Sequence, residues 1–310
     1  MKKHLYGLLL AAALPATVST AQADDYTGWQ ATHPEWTMVF NDDFSGTRLD
    51  TTKWNRFEYV NWTVDWSRYQ SRDESLVTVN GDGTVSLWGK YGDYTSQNDP
   101  TGANDTYACG GIFTDKTFTF QYGYVEVRAK FDCAQGAWPA IWMMPTAGPW
   151  PQTGEIDIME HLNRDGIIYQ TVHYNNQWGN AVSNSTVGAN GTSTAYFMTQ
   201  EEKAAFHTYG VEWTPEAVTF YMDGRSTLTL QTQEGNPNWP FNKDNNPYYL
   251  LLDMQLGGSW VGDIGDIGDG VAMTIDYVRV YSTPTNVPEP TTATLSLLAL
   301  AGLAARRRRR

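Results

Sequence analysis

Three carboxylates lie close together in an apolar segment, GEIDIMEH at residues 154–161. They are Glu155, Asp157 and Glu160, and two isoleucines and a methionine separate them. Because burying acids among apolar side chains is costly unless the acids are paired or used, this pattern indicates a reactive site. Two neighbouring carboxylates can divide acid, base and nucleophile roles between them. The alternative is a solvent-facing strand whose acids only aid solubility.

The spacing of these acids makes a specific structural prediction. Strict alternation places Glu155 and Asp157 on one face of a strand but turns Glu160 to the other face. One extra residue at or near Met159, a β-bulge, returns Glu160 to the shared face. The Cα atoms of the two glutamates would then lie about 13 Å apart. Carboxyl groups leaning together to about 5 Å suit retaining glycoside hydrolysis, whereas inversion requires about 6.5 to 9.5 Å.

The elements around this segment read as β-strands rich in aromatic and β-branched residues, with Gly, Asp, Asn or Pro at their ends. Only residues 199–206 predict a helix, with Thr199 as its N-cap. Many short strands in one body of about 260 residues indicate an all-β sandwich or jelly roll of two antiparallel sheets with a concave cleft. The predicted strands are 84–88, 122–131, 155–160, 168–174, 208–213, 218–222, 248–252 and 273–281.

The chain resembles glycoside hydrolase family 16 over most of this body. The similar segments are FNDDFSGTRLDTTKW, YGYVEVRAKF, WPAIWMMP, GEIDIMEH, TVHY, FHTYGVEWTPEAVTFYMDG, NWPF and IDYVRVY. The resemblance implies a jelly-roll endo-glycanase in which Glu155 is the nucleophile, Glu160 the general acid/base and Asp157 the neighbour that orients Glu155. It implies no cofactor for catalysis. It also implies a structural calcium away from the cleft, with Asp43 and Asp276 as its ligands.

Aromatic and polar side chains near the acids are candidates for binding a sugar. Tryptophan offers a flat face to a pyranose ring, although ordinary core packing accounts for about half of such residues. Either histidine could adjust the pKa of Glu160 or be a hydrogen-bonded structural residue. We expect substrate contacts at Trp138, Trp142, Trp260, His161, His173, Arg72 and Asn61.

Both termini have the composition of targeting segments. Residues 1–23 read as a secretory signal peptide, residues 24–286 as the body, and residues 287–310 resemble a PEP-CTERM sorting tail. The apolar part of the tail is short for a membrane span, which favours sorting over permanent anchoring. We therefore expect an exported or surface-associated protein that meets the tail-sorting machinery at the membrane.

Net charge excludes one class of partner. Of the 21 basic and 34 acidic residues, two lysines, five arginines and one glutamate lie in the targeting segments, which leaves 14 basic against 33 acidic residues, a balance of −19, or about −20. An acidic body of this kind repels phosphate backbones, so nucleic-acid binding is excluded. Sulfated glycans are disfavoured for the same reason. A neutral oligosaccharide, polysaccharide or glycoprotein glycan is the expected partner of a monomer.

Two cysteines in an exported chain suggest a disulfide. If 112–114 pairs antiparallel with 124–128, the same register places Cys109 opposite Cys133. Two buried thiols are the main alternative, and a reactive thiol is the weakest one.

The segment before the last strand, DMQLGGSWVG, bears on the substrate. Laminarinase-like members of the family commonly read NLAVGGNWPG there, so Asp253 and Gln255 depart from that pattern. QLGGSWVG looks more like family members that act on galactosides, which favours an endo-β-1,4-galactosidase acting on neutral poly-N-acetyllactosamine or mucin-type O-glycans. The alternatives are an endo-1,3-β-glucanase, a mixed-linkage glucanase, another galactan hydrolase, or a non-catalytic carbohydrate-binding protein. No GxSxG, HExxH or GxGxxG motif points to another enzyme class.

Overall fold

The computed structural model describes residues 27–57, 64–94, 106–186 and 196–283. The predicted signal peptide, the predicted sorting tail and Asn61 lie outside these residues. The helices of the described chain are short. They are α1 (Trp29–Thr32), α2 (Gln200–Ala204) and the 3-10 turns Asp65–Ser67 and Glu74–Leu76. Within the described ranges, none of the helices has the length and hydropathy of a membrane span.

Strands dominate the described chain. In chain order they are β1 (Thr37–Asp42), β2 (Asn55–Arg56), β3 (Val77–Val79), β4 (Val85–Gly92), β5 (Thr106–Cys109), β6 (Gly111–Phe113), β7 (Gly123–Phe131), β8 (Ala137–Pro145), β9 (Glu155–Glu160), β10 (Ile167–Asn175), β11 (Ala181–Ser185), β12 (Tyr196–Phe197), β13 (His207–Trp213), β14 (Ala217–Met222), β15 (Arg225–Gln231), β16 (Tyr248–Leu256) and β17 (Val271–Ser282). All eight predicted strands are present, and β9 has the predicted bounds.

The strands form two antiparallel sheets. The nine-stranded outer sheet has the order β15-β14-β13-β7-β17-β4-β3, with β1 paired to β17 and β5 paired to β4. The eight-stranded cleft sheet has the order β11-β10-β9-β8-β16-β6-β2, with β12 paired to β10. The predicted all-β sandwich of the jelly-roll type is confirmed.

The core lies between the two sheets because each contributes alternate apolar side chains to it. The outer sheet supplies side chains such as Val127 and Phe220, and the cleft sheet supplies Ile156, Ile158 and Leu252; all five are fully buried. Facing sheets that bury one side each are the basis of a β-sandwich. The opposite face of the cleft sheet is left free to form a binding surface.

The predicted helix begins as expected. The Thr199 side chain accepts a hydrogen bond from the backbone N–H of Glu202, and the Glu202 side chain accepts one from the backbone N–H of Thr199. This reciprocal arrangement is a capping box, which satisfies two backbone donors that the first turn leaves free.

The predicted disulfide is wrong, because Cys109 and Cys133 are free thiols. The pairing it required is not made: β6 pairs with β2 and β16 in the cleft sheet, whereas β7 pairs with β13 and β17 in the outer sheet. Cys109 is fully buried and Cys133 is half-buried. Two largely buried thiols, the main alternative, fit this arrangement.

Candidate active site

A β-bulge in β9 brings the three carboxylates onto one face of the cleft sheet. Glu160 lies opposite Tyr169 on β10, Asp157 opposite Thr171 and Glu155 opposite His173. The partners Tyr169 and Thr171 are two positions apart on β10, whereas Asp157 and Glu160 are three positions apart on β9. The pairing with β8 shifts at the same point. The extra residue places Glu160 back in line with the other two acids, which confirms the predicted bulge.

The carboxylates lie in a cleft of about 980 Å³. Its floor consists of alternate residues from neighbouring strands, as expected for one face of a pleated sheet. The residues that line it are Phe57, Val64, Trp66, Phe113, Trp138, Ala140, Trp142, Met144, Trp150, Glu155, Asp157, Glu160, Tyr169, Thr171, His173, Ser183, Ser185, Tyr249, Leu251, Gln255 and Trp260. The cleft is therefore mostly aromatic and apolar around a small acidic centre, a composition typical of small-molecule and sugar sites.

Each of the two glutamates accepts a hydrogen bond from a different tryptophan. The indole Nε1 of Trp138 donates to Oε1 of Glu160 over 2.9 Å. The indole Nε1 of Trp150 donates to Oε2 of Glu155. Because an indole nitrogen can only donate, each of these contacts fixes one oxygen of its carboxyl group as an acceptor.

Asp157 lies between the glutamates and contacts His173. The Nε2 atom of His173 is 3.1 Å from Oδ2 of Asp157, and its Nδ1 atom is 2.7 Å from the hydroxyl of Ser183. His173 thus lies beside the acidic centre, as the sequence predicted. The hydrogen bond with Ser183 therefore holds one ring nitrogen while the other faces the carboxyl group of Asp157.

Burial raises the pKa of all three carboxyl groups. It raises the pKa of Glu155 and of Asp157 to about 8, and the neighbouring charge of Asp157 adds to the effect at Glu155. The pKa of Glu160 is raised well above its ordinary value by burial and by the charge of Asp157, against the hydrogen bond from Trp138. Since close buried carboxyl groups cannot all ionise, the centre holds protons near neutral pH.

Trp142 and Trp260 both line the cleft, as predicted for sugar platforms. Trp142 is buried, and its indole nitrogen donates to Oδ1 of Asp253 over 2.9 Å. Trp260 is 47% exposed, and its ring centroid lies 5.4 Å from that of Trp138 and 5.1 Å from that of Tyr169. These tryptophans offer both a fixed floor and an accessible wall to a sugar.

His161 does not reach the cleft, so its predicted place in substrate binding is wrong. Its side chain is fully buried, and Nε2 lies 2.7 Å from the backbone oxygen of Asp165. The ring also packs against Phe131, with centroids 4.8 Å apart. It follows Glu160 directly, and leaving the strand there turns it away from the acids. His161 is a hydrogen-bonded structural residue.

The two weakest sugar-contact candidates gain no support. Arg72 is exposed and lies outside the set of residues that line the cleft. Asn61 lies outside the described residues.

The two candidate calcium ligands already have other partners. Nη1 of Arg128 lies 2.5 Å from Oδ2 of Asp276, and Asp43 accepts hydrogen bonds from the backbone and hydroxyl of Ser45. Within the described ranges, no three His, Cys, Asp or Glu side chains form a group that could hold a metal ion. Arg128 therefore neutralises Asp276 in this structure, and a calcium at Asp43 and Asp276 stays a prediction.

Sequence reasoning missed several residues of the cleft. Asp253 appeared only as a departure from a family pattern, yet it is a fully buried carboxylate below Trp142, and burial raises its pKa to about 7. Alternation along β16 could have placed Tyr249, Leu251 and Gln255 on the cleft face. Trp66 comes from the 3-10 turn Asp65–Ser67, for which no periodic signal exists in the sequence.

Comparison with known proteins gives a consistent result. The model of the family described as Glycosyl hydrolases family 16 matches residues 59–279. A PEP-CTERM protein-sorting motif matches residues 286–310, which confirms the predicted tail and indicates export and surface sorting.

Two curated relatives and one solved structure illustrate the range of similar proteins. The keratan-sulfate endo-1,4-beta-galactosidase of Sphingobacterium multivorum is 33% identical over 257 residues, covering 81% of this chain and 56% of the relative. The glucan endo-1,3-beta-glucosidase A1 of Niallia circulans is 32% identical over 270 residues, covering 79% of this chain and 37% of the relative. The chain thus spans about half the length, or less, of these relatives. A solved structure from work on endo-acting O-glycanases with which human gut microbiota initiate mucin breakdown has a TM-score of 0.67, 26% identity and coverage of 80% of this chain and 91% of that one.

Proposed function

The chain belongs to glycosyl hydrolases family 16, and on this premise we propose that it is a retaining, endo-acting β-glycoside hydrolase. The observation that supports this activity best is the bulge in β9, which gathers Glu155, Asp157 and Glu160 on the floor of an aromatic cleft. A non-catalytic carbohydrate-binding protein would have no use for three buried acids, because burying them costs free energy.

In the first step, Glu155 attacks the anomeric carbon and forms a glycosyl ester. The bond from that carbon to the leaving oxygen breaks, and the proton of Glu160 moves to this oxygen. The raised pKa of Glu160 suits this role, since burial keeps the carboxyl protonated until it is needed. The hydrogen bond between Glu155 and Asp157 raises the pKa of Glu155 and lowers that of Asp157, so at rest the shared proton favours Glu155. Because only an ionised Glu155 can attack, this proton has to move to Asp157 before the attack.

In the second step, water hydrolyses the ester. Glu160, now ionised, takes a proton from water, the oxygen bonds to the anomeric carbon, and Glu155 leaves as a carboxylate. Each of the two steps inverts the configuration of the anomeric carbon, so the product has the β configuration of the substrate. The cycle ends with Glu160 protonated again and needs no cofactor.

For the substrate, we propose internal β-1,4-galactosidic bonds of neutral poly-N-acetyllactosamine or mucin-type O-glycans. The similarity to an endo-galactosidase and to an O-glycanase structure supports this class. The cleft supports a neutral glycan: three carboxylates line it, and the described residues that line it include no lysine or arginine. A sulfate would meet repulsion from the acids without an arginine to pair with.

An endo-1,3-β-glucanase or mixed-linkage glucanase is the second candidate. Similarity to the Niallia circulans endo-1,3-beta-glucosidase favours it, and an acidic aromatic cleft accommodates neutral glucans as well. The departures at Asp253 and Gln255 from the common laminarinase segment are the reason for ranking it second.

Two measurements test the proposal. Glu155→Gln should abolish glycan cleavage while leaving sugar affinity within severalfold of wild type, because the substitution keeps the shape of the side chain. Cleavage by this variant at the wild-type rate would refute the nucleophile assignment. NMR of the first product released should show the β anomer, and an initial α anomer would exclude retention.

A panel of neutral glycans then ranks the substrates. We expect mass spectrometry to detect internal cleavage of lactosamine-rich O-glycans, with desulfated keratan chains cleaved faster than sulfated ones. Rapid depolymerisation of laminarin beside intact lactosamine chains would reverse the ranking. The Glu155→Gln variant is the matched control for contaminating hydrolases in every assay.

A further inference from the structure

The carboxylate of Asp253 organises a buried polar cluster beneath the cleft floor. Gln70 donates to its Oδ2 atom over 2.7 Å, while Trp142 and Gln255 donate to its Oδ1 atom over 2.9 and 3.3 Å. All of these contacts are inside the protein, and Asp253 itself is fully buried. Among the described residues, its hydrogen-bond partners are these three N–H donors, so hydrogen bonds alone offset the cost of burying this carboxyl group.

This cluster fixes the orientation of the Gln255 amide. Its Nε2 group faces Asp253, and a rotation that exchanged nitrogen and oxygen would place the amide oxygen against the carboxylate. The Oε1 atom of Gln255 is therefore held in a single direction. Within the described residues this oxygen is buried without a hydrogen-bond partner, although Gln255 is only 2% exposed and lines the cleft.

The position of Gln255 relates it to the bond being cleaved. On the cleft sheet, Gln255 lies directly opposite Trp138, and Trp138 donates to Glu160. A sugar bound next to Glu160 and resting on Trp138 would therefore lie beside Gln255, and a small movement of this side chain would uncover its amide oxygen. Because a buried acceptor without a partner is costly, a ligand that brings a donor to it gains affinity over one that does not.

We propose that Gln255 is a specificity-determining residue that accepts a hydrogen bond from a hydroxyl or acetamido N–H of the bound sugar, and that Asp253 is the positioning residue that aims it. The proposal rests on the glycoside hydrolase activity proposed above, and it deepens that activity by naming how one sugar group is selected. Sites that hydrogen-bond a substrate group reject analogues lacking that group strongly, since their own polar atom is then left unpaired.

The test uses two tetrasaccharides and three variants of the full chain. The substrates are a linear chain of two N-acetyllactosamine units and its analogue with hydroxyls in place of the acetamido groups. In Gln255→Met the acceptor is lost at similar size, and we expect KM to rise about tenfold with kcat within about threefold. If the acetamido N–H is the donor, Gln255→Met also loses the preference for the acetamido substrate over its hydroxyl analogue. If a hydroxyl is the donor, the KM values for both substrates rise equally.

Matched variants distinguish an effect on the orientation of the Gln255 amide from an effect on protein stability. Asp253→Asn keeps an acceptor for Trp142 and Gln255 and should stay within about threefold of wild type, whereas Asp253→Ala should match Gln255→Met. Thermal unfolding confirms that each variant is folded.

Gln255→Met is the deciding variant, so a failure of Asp253→Ala to fold leaves the test intact. An unchanged KM for folded Gln255→Met overturns the proposal. If the wild type cleaves neither tetrasaccharide, the proposed galactosidase activity fails instead, and the same variants are then compared on a laminarin hexasaccharide. There a rise in KM supports the role of Gln255, and an unchanged KM overturns it.

Discussion

The indole of Trp138 donates a hydrogen bond to Oε1 of Glu160 over 2.9 Å, and both side chains line the cleft. One tryptophan therefore performs two tasks, since its ring can lie against a sugar while its nitrogen contacts the proposed acid. The hydrogen bond favours the ionised form of Glu160 and lowers its pKa, against a larger upward effect of burial.

Substituting Trp138 should change the pH dependence of the reaction. Trp138→Phe keeps an aromatic ring but removes the donor to Glu160, so the pKa of Glu160 rises further. Because Glu160 must be protonated to act as an acid, the alkaline limb of the kcat/KM profile should move to higher pH. The measurement is initial rate against pH with one soluble oligosaccharide.

Trp142→Phe is the matched control for this prediction. Its indole donates to Asp253 and makes no hydrogen bond to Glu160, so its alkaline limb should stay in place even if its rate falls. Equal shifts in both variants would mean that loss of the Trp138 hydrogen bond is not the cause.

The sequence was sufficient for the fold class and the acidic centre because both depend on local patterns. Alternation was clearest in β13 and β17, and the misfit of Glu160 to the alternation of β9 identified the bulge. β8 was missed although it carries Trp138 and Trp142. Its two prolines argue against a central strand, because proline cannot donate a backbone hydrogen bond. Nevertheless, β8 lies between β9 and β16. The backbone carbonyl of Pro139 still accepts a hydrogen bond, from the backbone N–H of His161.

Contacts between distant segments could not be inferred from local patterns. The disulfide prediction failed because it assumed that neighbouring segments pair, whereas β6 and β7 belong to different sheets. The cluster around Asp253 joins Gln70 and Trp142 across long sequence separations. His161 was misplaced because the strand ends at Glu160, so alternation no longer determines where the next side chain points.

The two cysteines should behave as free, unreactive thiols. Burial raises the pKa of Cys133 to about 11 and that of Cys109 well above its ordinary value, and the thiolate is the form that reacts. We expect slow alkylation of the native protein, complete alkylation of both cysteines after denaturation without reductant, and a Tm insensitive to reductant. If mass spectrometry detects alkylation of the denatured protein only after reduction, the two cysteines form a disulfide.

A buried ion pair should make stability depend on pH. Nδ1 of His207 lies 2.7 Å from Oδ2 of Asp223, and both side chains are almost fully buried. Burial alone would lower the pKa of His207, but the hydrogen bond and charge of Asp223 outweigh it and raise the pKa. The pKa of His207 in the folded protein therefore exceeds its value of about 6.5 in the unfolded chain. The contribution of the ion pair to the free energy of unfolding is complete at pH values below the unfolded pKa, and it disappears as the pH rises through the folded pKa.

His207→Gln should therefore lose more stability at pH 5.5 than at pH 9, relative to wild type at the same pH. Urea unfolding at both values measures the difference. Lys203→Gln serves as a control for removing a buried cation elsewhere, because Lys203 donates to the backbone oxygens of Arg164 and Asp165 and not to Asp223. An equal loss for His207→Gln at the two pH values would show that the imidazole is neutral in the folded protein.

A hydrogen bond between two loops should determine how well long glycans bind. Oδ2 of Asp65 accepts the backbone N–H of Ser259 over 2.5 Å, which ties the turn carrying Trp66 to the loop carrying Trp260. Gly258 allows this approach: its φ is +140°, and a Cβ there would lie 2.8 Å from the Cβ of Asp65. Both tryptophans line the cleft, so the tie holds two parts of the sugar-binding surface at a fixed distance.

Asp65→Ala removes this tie and frees both loops, so each must be ordered again when a glycan binds. A charge-assisted hydrogen bond of this kind contributes about 1.5 kcal/mol, equivalent to about tenfold in affinity. We expect KM for a long oligosaccharide to rise by about that factor with kcat nearly unchanged, because the carboxylates on β9 do not move. Asp65→Asn keeps an acceptor for Ser259 and should recover most of the affinity. If Asp65→Ala lowers kcat and leaves KM unchanged, the tie acts on the acidic centre and not on the walls of the cleft.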